Sequence, residues 1–449
     1  MRSRFRFTTC IILLLFPLLL SSCSDSGNTI ANIAPHLTQQ WVVGWGASPQ
    51  NALTTATNPG GSEQSFRFIV VPTIGGSRER VRFSNFFGAT AITIGSARLS
   101  IASGSGPAID GAHDSPLTFS GNQSVTIQPN QEVYSDPVDI TYTYGQKLAV
   151  SVYMQGSFPP LTEHDSLAGT NFTTAVGAGN TTNDSTGASF TETTTEWFLI
   201  TNVDVYGPYD GTVAVFGSSS FDGNFSFDGD TNSYPTANVP VAGQDHDRPS
   251  DWLGKSLNAA GIPVGVLNAG LEADPAGEDG SASPLAGVDR IDHDVLQQPG
   301  IKAVVIYIGG VDLRIGCLPA TTVAGSLTTI IAKAHAAGVR VILATLPPSE
   351  YCTTGSPLPS SADPYAGDIS PGPENPGSTQ RRALNAWIRI VGSQLPGVVS
   401  IADFDAALAD PAHPDFMIPN LNSGDNFHPN GFGYSVQNSA IDITAILGQ

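Results

Sequence analysis

Residues 213 to 223 read VAVFGSSSFDG. A run of apolar, partly β-branched residues stops at Gly217, three serines follow, and Asp222 and Gly223 close the stretch. An apolar run bounded in this way predicts a buried strand feeding a tight turn. Similar runs recur downstream in PVGVLNAG (263–270), AVVIYIGG (303–310), RVILATLPP (340–348) and VVSIADF (398–404). Between them lie the helical patterns PSDWLGKSLNAAG (249–261), LTTIIAKAHAAG (327–338) and TQRRALNAWIRIVGSQLPG (379–397), the first two stopped by a Gly after two alanines. Alternating strand and helix predicts right-handed crossovers and a parallel sheet covered on both faces. Ligands bind such sheets outside the carboxyl ends of the strands, so the turns after these runs are where chemistry is expected.

Ahead of this region the pattern is different. QSFRFIVVP (64–72), RVRFSNF (80–86), AITIGSARLSIA (91–102), QSVTIQP (123–129), KLAVSVYM (147–154) and EWFLITNVDV (196–205) are short alternating runs separated by Gly, Pro, Asn and Asp turns. They predict an all-β sandwich or jelly roll over residues 41–206, followed by the α/β domain over 211–449. With 449 residues the chain is long enough for two such cores. Its formal net charge is −20 with only 19 Lys and Arg. That balance repels phosphate backbones and excludes nucleic acid as a partner.

The first residues form a targeting segment. MRSRFRF is basic, IILLLFPLLL is apolar but short for a membrane span, and LSSC ends at Cys23. Residues 1–22 are expected to be a signal peptide. The small residues before Cys23 resemble the bacterial lipobox, which implies lipidation at Cys23, residues 23–40 as a tether, and an exported protein held to a membrane by its lipid. Export favours pairing of Cys317 with Cys352, the two cysteines left once Cys10 and Cys23 are set aside.

After the predicted strands stand GSSSFDG, then NAGLEADPAG with Gly270, then GGVDL with Asp312; SGDNFHPNGFGY with Asp425 and His428 lies near the C-terminus. A serine nucleophile needs a base, a carboxylate to orient that base, and donors for the oxyanion. DNFH supplies base and orienter on one short Gly/Pro-bounded loop. His335 falls in a helical pattern and reads as structural; the remaining histidines, His246 among them, read as solvated loop residues. No metal-ligand spacing and no G-x-S-x-G elbow stand out, and no cofactor is implied.

The order FGSSSFDG, LNAGLEA, IGGVDL, DNFHPNGFGY resembles the SGNH, or GDSL-type, hydrolase superfamily, whose blocks are G-D-S-x-x-D-G, a Gly, G-x-N-D and D-x-x-H. WVVGWGASPQ, RVRFSNFFG, DVLQQPGIKAVVIY, AHAAGVRVILATLPP, RRALNAWIR and ADFDAALADPAHP extend the resemblance over about residues 41 to 447, to a branch with a β domain ahead of the hydrolase. The resemblance implies a flavodoxin-like α/β fold and a serine esterase acting on an acyl ester, acetyl included, of an extracellular carbohydrate or lipid. By position it assigns Ser219 as nucleophile, His428 as base and Asp425 as its partner, with Gly270 and the Ser219 N–H among the oxyanion donors. Two positions depart from the pattern. Ser218 stands where the family has Asp, and Val311 stands where it has the Asn that donates to the oxyanion. These departures leave open a second reading, a weakened or inactive relative that binds glycan or acyl ligands. The β domain reads either as a carbohydrate-binding module or as a wall of the cleft. The Pro/Gly/Ser-rich run at 349–378 reads either as a cover over the site or as a mobile surface loop.

Overall fold

The computed structural model describes residues 37–165, 169–224, 226, 247–277, 285–349 and 376–448. The signal segment, the tether with Cys23, His246, Cys352 and most of the 349–378 run lie outside the described residues. Among the described residues, the N-terminal part forms two large antiparallel sheets and a two-stranded one, Glu163–His164 with Trp197–Phe198. The four-stranded sheet has the order Thr38–Gly46, Ile200–Tyr209, Glu79–Ser84, Glu132–Tyr134. The seven-stranded sheet is built around Gly61–Val70, Leu148–Phe158 and Ile92–Ala102. Alternation puts Val42, Val81, Phe83, Val203 and Val205 from the first sheet against Phe66, Phe68, Leu99, Val150 and Val152 from the second in one buried apolar cluster. The strand Ile109–Leu117 is not announced by the sequence, because its polar, largely outward-facing residues IDGAHDSPL carry no alternating apolar pattern.

The chain then turns directly into the α/β part, with Tyr209 ending one strand and Gly211 beginning the next. Five parallel strands, β1 (Gly211–Gly217), β2 (Val264–Gly270), β3 (Ile301–Tyr307), β4 (Arg340–Ala344) and β5 (Val398–Ala402), pair in the order β2-β1-β3-β4-β5. This is the flavodoxin-like order, with its switch point beside β1. All of β1 and β2 is buried, as expected of strands covered on both faces. The covering helices include α1 (Ser219–Asp222), α2 (Pro249–Ala259), α3 (Gly310–Arg314), α4 (Ala320–Ala336), α5 (Pro376–Ile390) and α6 (Gly431–Ser439). Helix α2 starts where the sequence requires it: Pro249 occupies the first turn, and the Asp251 carboxylate accepts from the Arg248 backbone N–H at 3.1 Å. Helix α4 buries Val323, Leu327, Ile330, Ile331 and Ala334, the stripe its spacing predicts.

The β region and the α/β region belong to one compact unit, Leu37–Gln449. The N-terminal strand lies beside β2: Ala47 bridges Asn268 in parallel, the Val43 N–H donates to Thr212 Oγ1 at 2.9 Å, and the Val266 N–H donates to Thr73 Oγ1 at 2.9 Å. A Cβ on Gly265 would fall 2.0 Å from the Val43 carbonyl oxygen, so glycine is what lets these backbones approach.

Candidate active site

Strand β1 delivers the serines to its carboxyl end, and α1 begins one residue past Ser218. Gly223 ends the turn at φ 108, and a Cβ there would strike the Arg248 side chain at 2.4 Å. Of the three serines, it is Ser219 whose Oγ lies 2.7 Å from His428 Nε2. Ser218 and Ser220 are buried on either side of it.

The DNFH loop precedes α6, whose N-cap Asn430 accepts from the Gly433 N–H at 2.8 Å. His428 Nδ1 lies 2.5 Å from Asp425 Oδ2. Asp425 Oδ1 accepts from the backbone N–H groups of Phe427 and His428, both at 2.8 Å, and from Ser423 Oγ at 2.9 Å. Burial by itself would raise this carboxyl's pKa. The His428 ring and the two backbone donors outweigh burial and hold it well below the usual carboxylate range. A carboxylate only accepts, so His428 Nδ1 carries a proton toward Asp425, and a neutral ring then offers Nε2 as the acceptor for the Ser219 hydroxyl.

Spacing alone does not make this arrangement. Asp110 and His113 have the same D-x-x-H spacing and hydrogen-bond at 2.7 Å, but both are exposed on the strand Ile109–Leu117. The fold makes the difference by bringing Ser219 to Nε2 of His428.

Two positions of the expected oxyanion site, Gly270 and Val311, are placed as follows. The Gly270 N–H donates at 2.9 Å to Asn268 Oδ1, and a Cβ on Gly270 would lie 2.1 Å from the Asp222 nitrogen. Gly270 is therefore a close-approach position under α1 with its N–H already used. Val311 is buried in α3, which borders the catalytic loop: Gly310 approaches the Phe427 ring, and Arg314 stacks over it at 4.0 Å. Val311 carries no side-chain donor. Cys317, just past α3, is disulfide-bonded, and Cys352 lies outside the described residues.

Several site residues escape sequence reading. Asn268 Nδ2 donates to the Phe221 carbonyl at 2.9 Å and the Asp222 carbonyl at 3.3 Å, tying β2 to the serine turn. Fully buried Arg290 donates to the Gly217 carbonyl at 2.8 Å and the Ala269 carbonyl at 2.9 Å, with Asp274 and Asp294 as counter-charges. It clamps the ends of β1 and β2 just before the serine. Asp312, which the sequence did mark in GGVDL, accepts from the N–H groups of Ala276 at 2.8 Å and Gly277 at 3.1 Å, fixing the loop after β2. His335 is exposed on α4. Two other histidines correct the expectation of solvated loop residues. His164 is buried against Asp222, and partly buried His293 bridges Asp294 and Glu132. Only the approach of distant elements buries them, so no local signal marks them.

A parallel α/β domain with a hydrogen-bonded Ser–His–Asp relay at its strand ends is the architecture of an esterase-type hydrolase. Residues 216–436 match the model of the GDSL-like Lipase/Acylhydrolase family, and this part of the chain is a GDSL-like lipase/acylhydrolase domain. No curated protein sequence matches the chain. Among solved structures, the chain is similar to a putative lipolytic protein of G-D-S-L family from Desulfitobacterium hafniense DCB-2, at 20% identity over 51% of this chain and 97% of that one, TM-score 0.33. It is also similar to AlinE4, an SGNH-hydrolase family esterase, at 18% identity over 50% and 88%, TM-score 0.31. A third is the psychrotrophic esterase EstA from Pseudoalteromonas sp., at 14% identity over 51% and 94%, TM-score 0.31.

Proposed function

We propose that the protein is a serine esterase in which Ser219, His428 and Asp425 hydrolyse an acyl ester, acetyl included, of an extracellular carbohydrate or lipid. The observation that carries this reading is the unbroken relay, Ser219 Oγ to His428 Nε2 at 2.7 Å and His428 Nδ1 to Asp425 at 2.5 Å. Ser219 Oγ bonds to the ester carbonyl carbon as its proton passes to His428 Nε2. The bond to the alcohol oxygen then breaks as His428 returns that proton to the leaving alcohol. A water, deprotonated by the same ring, attacks the acyl-Ser219 ester and releases the carboxylic acid. The N–H of Ser219 opens α1 and has no partner within the helix, so it is available to the oxyanion.

A second reading, a weakened hydrolase that chiefly binds its ligand, is favoured by one feature. Val311 offers no donor, and the Gly270 N–H is engaged by Asn268. One missing oxyanion donor costs about 10²–10³ in rate. Purified protein assayed on short-chain nitrophenyl esters and acetylated sugars beside Ser219→Ala decides between them. Turnover abolished by the substitution supports the esterase; no turnover by either protein supports the binding reading.

The chain is further proposed to be exported and lipid-anchored through Cys23. The basic, apolar and LSSC segments support this reading. Metabolic labelling with a fatty acid that fails to mark the protein, or marks Cys23→Ala equally, refutes it.

A further inference from the structure

The β region and the nucleophile turn meet at a buried pair of side chains that the relay does not use. His164 lies on the two-residue strand Glu163–His164, which pairs with Trp197–Phe198. Its residue exposure is 2% and that of Asp222 is 1%. His164 Nε2 lies 3.0 Å from Asp222 Oδ1, and Nδ1 lies 2.7 Å from the Ser48 carbonyl oxygen. The Trp197 ring flanks the imidazole at 5.8 Å between centroids, and Arg248 lies over that indole at 5.5 Å.

Hydrogen-bond logic fixes what this histidine is. A carbonyl only accepts, so Nδ1 carries a hydrogen; a carboxylate only accepts, so Nε2 carries one as well. Where Asp222 is ionised, His164 is an imidazolium against it. Burial would lower its pKa, and the attraction of Asp222 overcomes this and raises it. Such a group is out of place in a surface loop, but it suits a charged clamp in a dry interface.

Asp222 is the last residue of α1, three positions beyond Ser219. Its N–H donates to the Ser218 carbonyl at 3.0 Å, and the next N–H, that of Gly223, donates to the Ser219 carbonyl at 3.0 Å. Asn268 holds the Phe221 and Asp222 carbonyls of this turn, and His164 holds its terminal carboxylate. A short turn gripped through Phe221 and Asp222, two and three residues past Ser219, resists rotation of its serine away from His428. We propose that His164, contributed by the β region, is a positioning residue for ester hydrolysis: bonded to Asp222, it holds the turn that presents Ser219 to His428. The β region is then a working part of the active centre, and its removal would take away the hold on the Asp222 carboxylate. This inference rests on the reading of Ser219 as the nucleophile.

The test uses the full chain with His164→Ala, His164→Gln and Asp222→Asn. Displacing a reacting group by about 1 Å costs up to about 10²-fold. Each variant is therefore expected to lose about 10- to 100-fold in kcat on a short-chain nitrophenyl ester, with KM within about threefold. His164→Ala combined with Asp222→Asn should fall no further than the worse single variant, because both act through one contact. Arg80→Met is the control. It breaks the pair Arg80–Asp204 inside the β region, which touches no part of the turn, and should destabilise the protein while leaving kcat unchanged. His164→Gln keeps a donor toward Asp222 and stays informative where His164→Ala does not fold.

A folded His164 variant with native kcat, or one whose loss merely equals that of Arg80→Met, overturns the proposal. Should the native protein neither turn over esters nor accept a serine-directed phosphonate on Ser219, the esterase reading fails. Positioning is then read from the far-downfield proton of the His428–Asp425 bond in the NMR spectrum, which needs no turnover. A shifted or broadened proton in His164→Gln, with none in Arg80→Met, supports the clamp; an unchanged one refutes it.

Discussion

Replacing Asp425 by asparagine should do more harm than its near-identical shape suggests. Asp425 Oδ1 accepts from two backbone N–H groups at 2.8 Å, and Oδ2 faces His428 Nδ1 at 2.5 Å. An asparagine must choose which end its NH2 occupies. At the Oδ1 position it would meet two backbone donors and leave both unsatisfied, at about 1–3 kcal/mol each. At the Oδ2 position it meets only His428 Nδ1, which can shed its proton and accept. The amide therefore turns its NH2 to the imidazole, the ring proton moves to Nε2, and the Ser219 hydroxyl faces a donor where it had an acceptor. A carboxylate-to-amide change that selects the wrong tautomer costs about 10⁴ in kcat in serine proteases. We expect a loss of about 10³–10⁴ here, or about 4–5.5 kcal/mol of barrier. KM should change little, since Asp425 lies behind the imidazole. The assay is steady-state hydrolysis of a short-chain nitrophenyl ester near neutral pH, with phosphonate labelling of Ser219 as an independent measure. A folded Asp425→Asn protein within about tenfold of native kcat would refute both the tautomer argument and the role of Asp425.

Three further outcomes are expected. Ser219→Ala and His428→Ala should each remove nearly all turnover, and the double variant should be little worse than either, because relay members act as a unit; a phosphonate label on Ser218 or Ser220 would show that the turn is misassigned. Val311→Asn should raise kcat about tenfold if α3 presents that position to the oxyanion, short of the about 10²–10³ assigned to one full donor; an unchanged rate in a folded variant would mean that another donor already serves. Glu79 is fully buried, and burial first of all, with Asp139 nearby adding to it, pushes its carboxyl from 4.5 up to about 8 against the opposing backbone donors. Between those values the folded chain holds a proton that the unfolded chain lacks, so stability from this group falls as pH rises, by up to about 1.4 kcal/mol per pH unit. Glu79→Gln should flatten that decline in urea denaturation between pH 5 and pH 8, and an unaltered slope would count against a protonated Glu79.

The strands and helices of the α/β part were legible because their signals are local. Runs such as VAVFG and AVVIY, stopped by glycine, need only their own neighbours to be read. The chemistry-bearing loop was legible for the same reason, since Asp425 and His428 are three residues apart. Gly270 was harder. A glycine at a strand end suggests an oxyanion donor as readily as a close approach, and only the packing of α1 over β2 shows the close approach. The polar strand Ile109–Leu117 gave no sign because its pairing with Ile92–Ala102, rather than its own pattern, makes it a strand.

Taken alone, the sequence determined the order of strands and helices in the α/β part, the all-β and α/β halves, and the set of residues able to form a relay. It could not select the partner of each residue. Ser219 and His428 lie 209 positions apart, and His164 and Asp222 lie 58 apart in differently built regions. Tertiary structure decided that Ser219, rather than Ser218 or Ser220, faces the imidazole, that Arg290 is sunk beneath the ends of β1 and β2, and that His164 is buried against Asp222 instead of solvated. The physical reason is one of range. Periodicity, turn preference and capping act over a few bonds of chain, whereas burial, charge pairing and hydrogen-bond satisfaction depend on whatever the fold brings within about 3 Å.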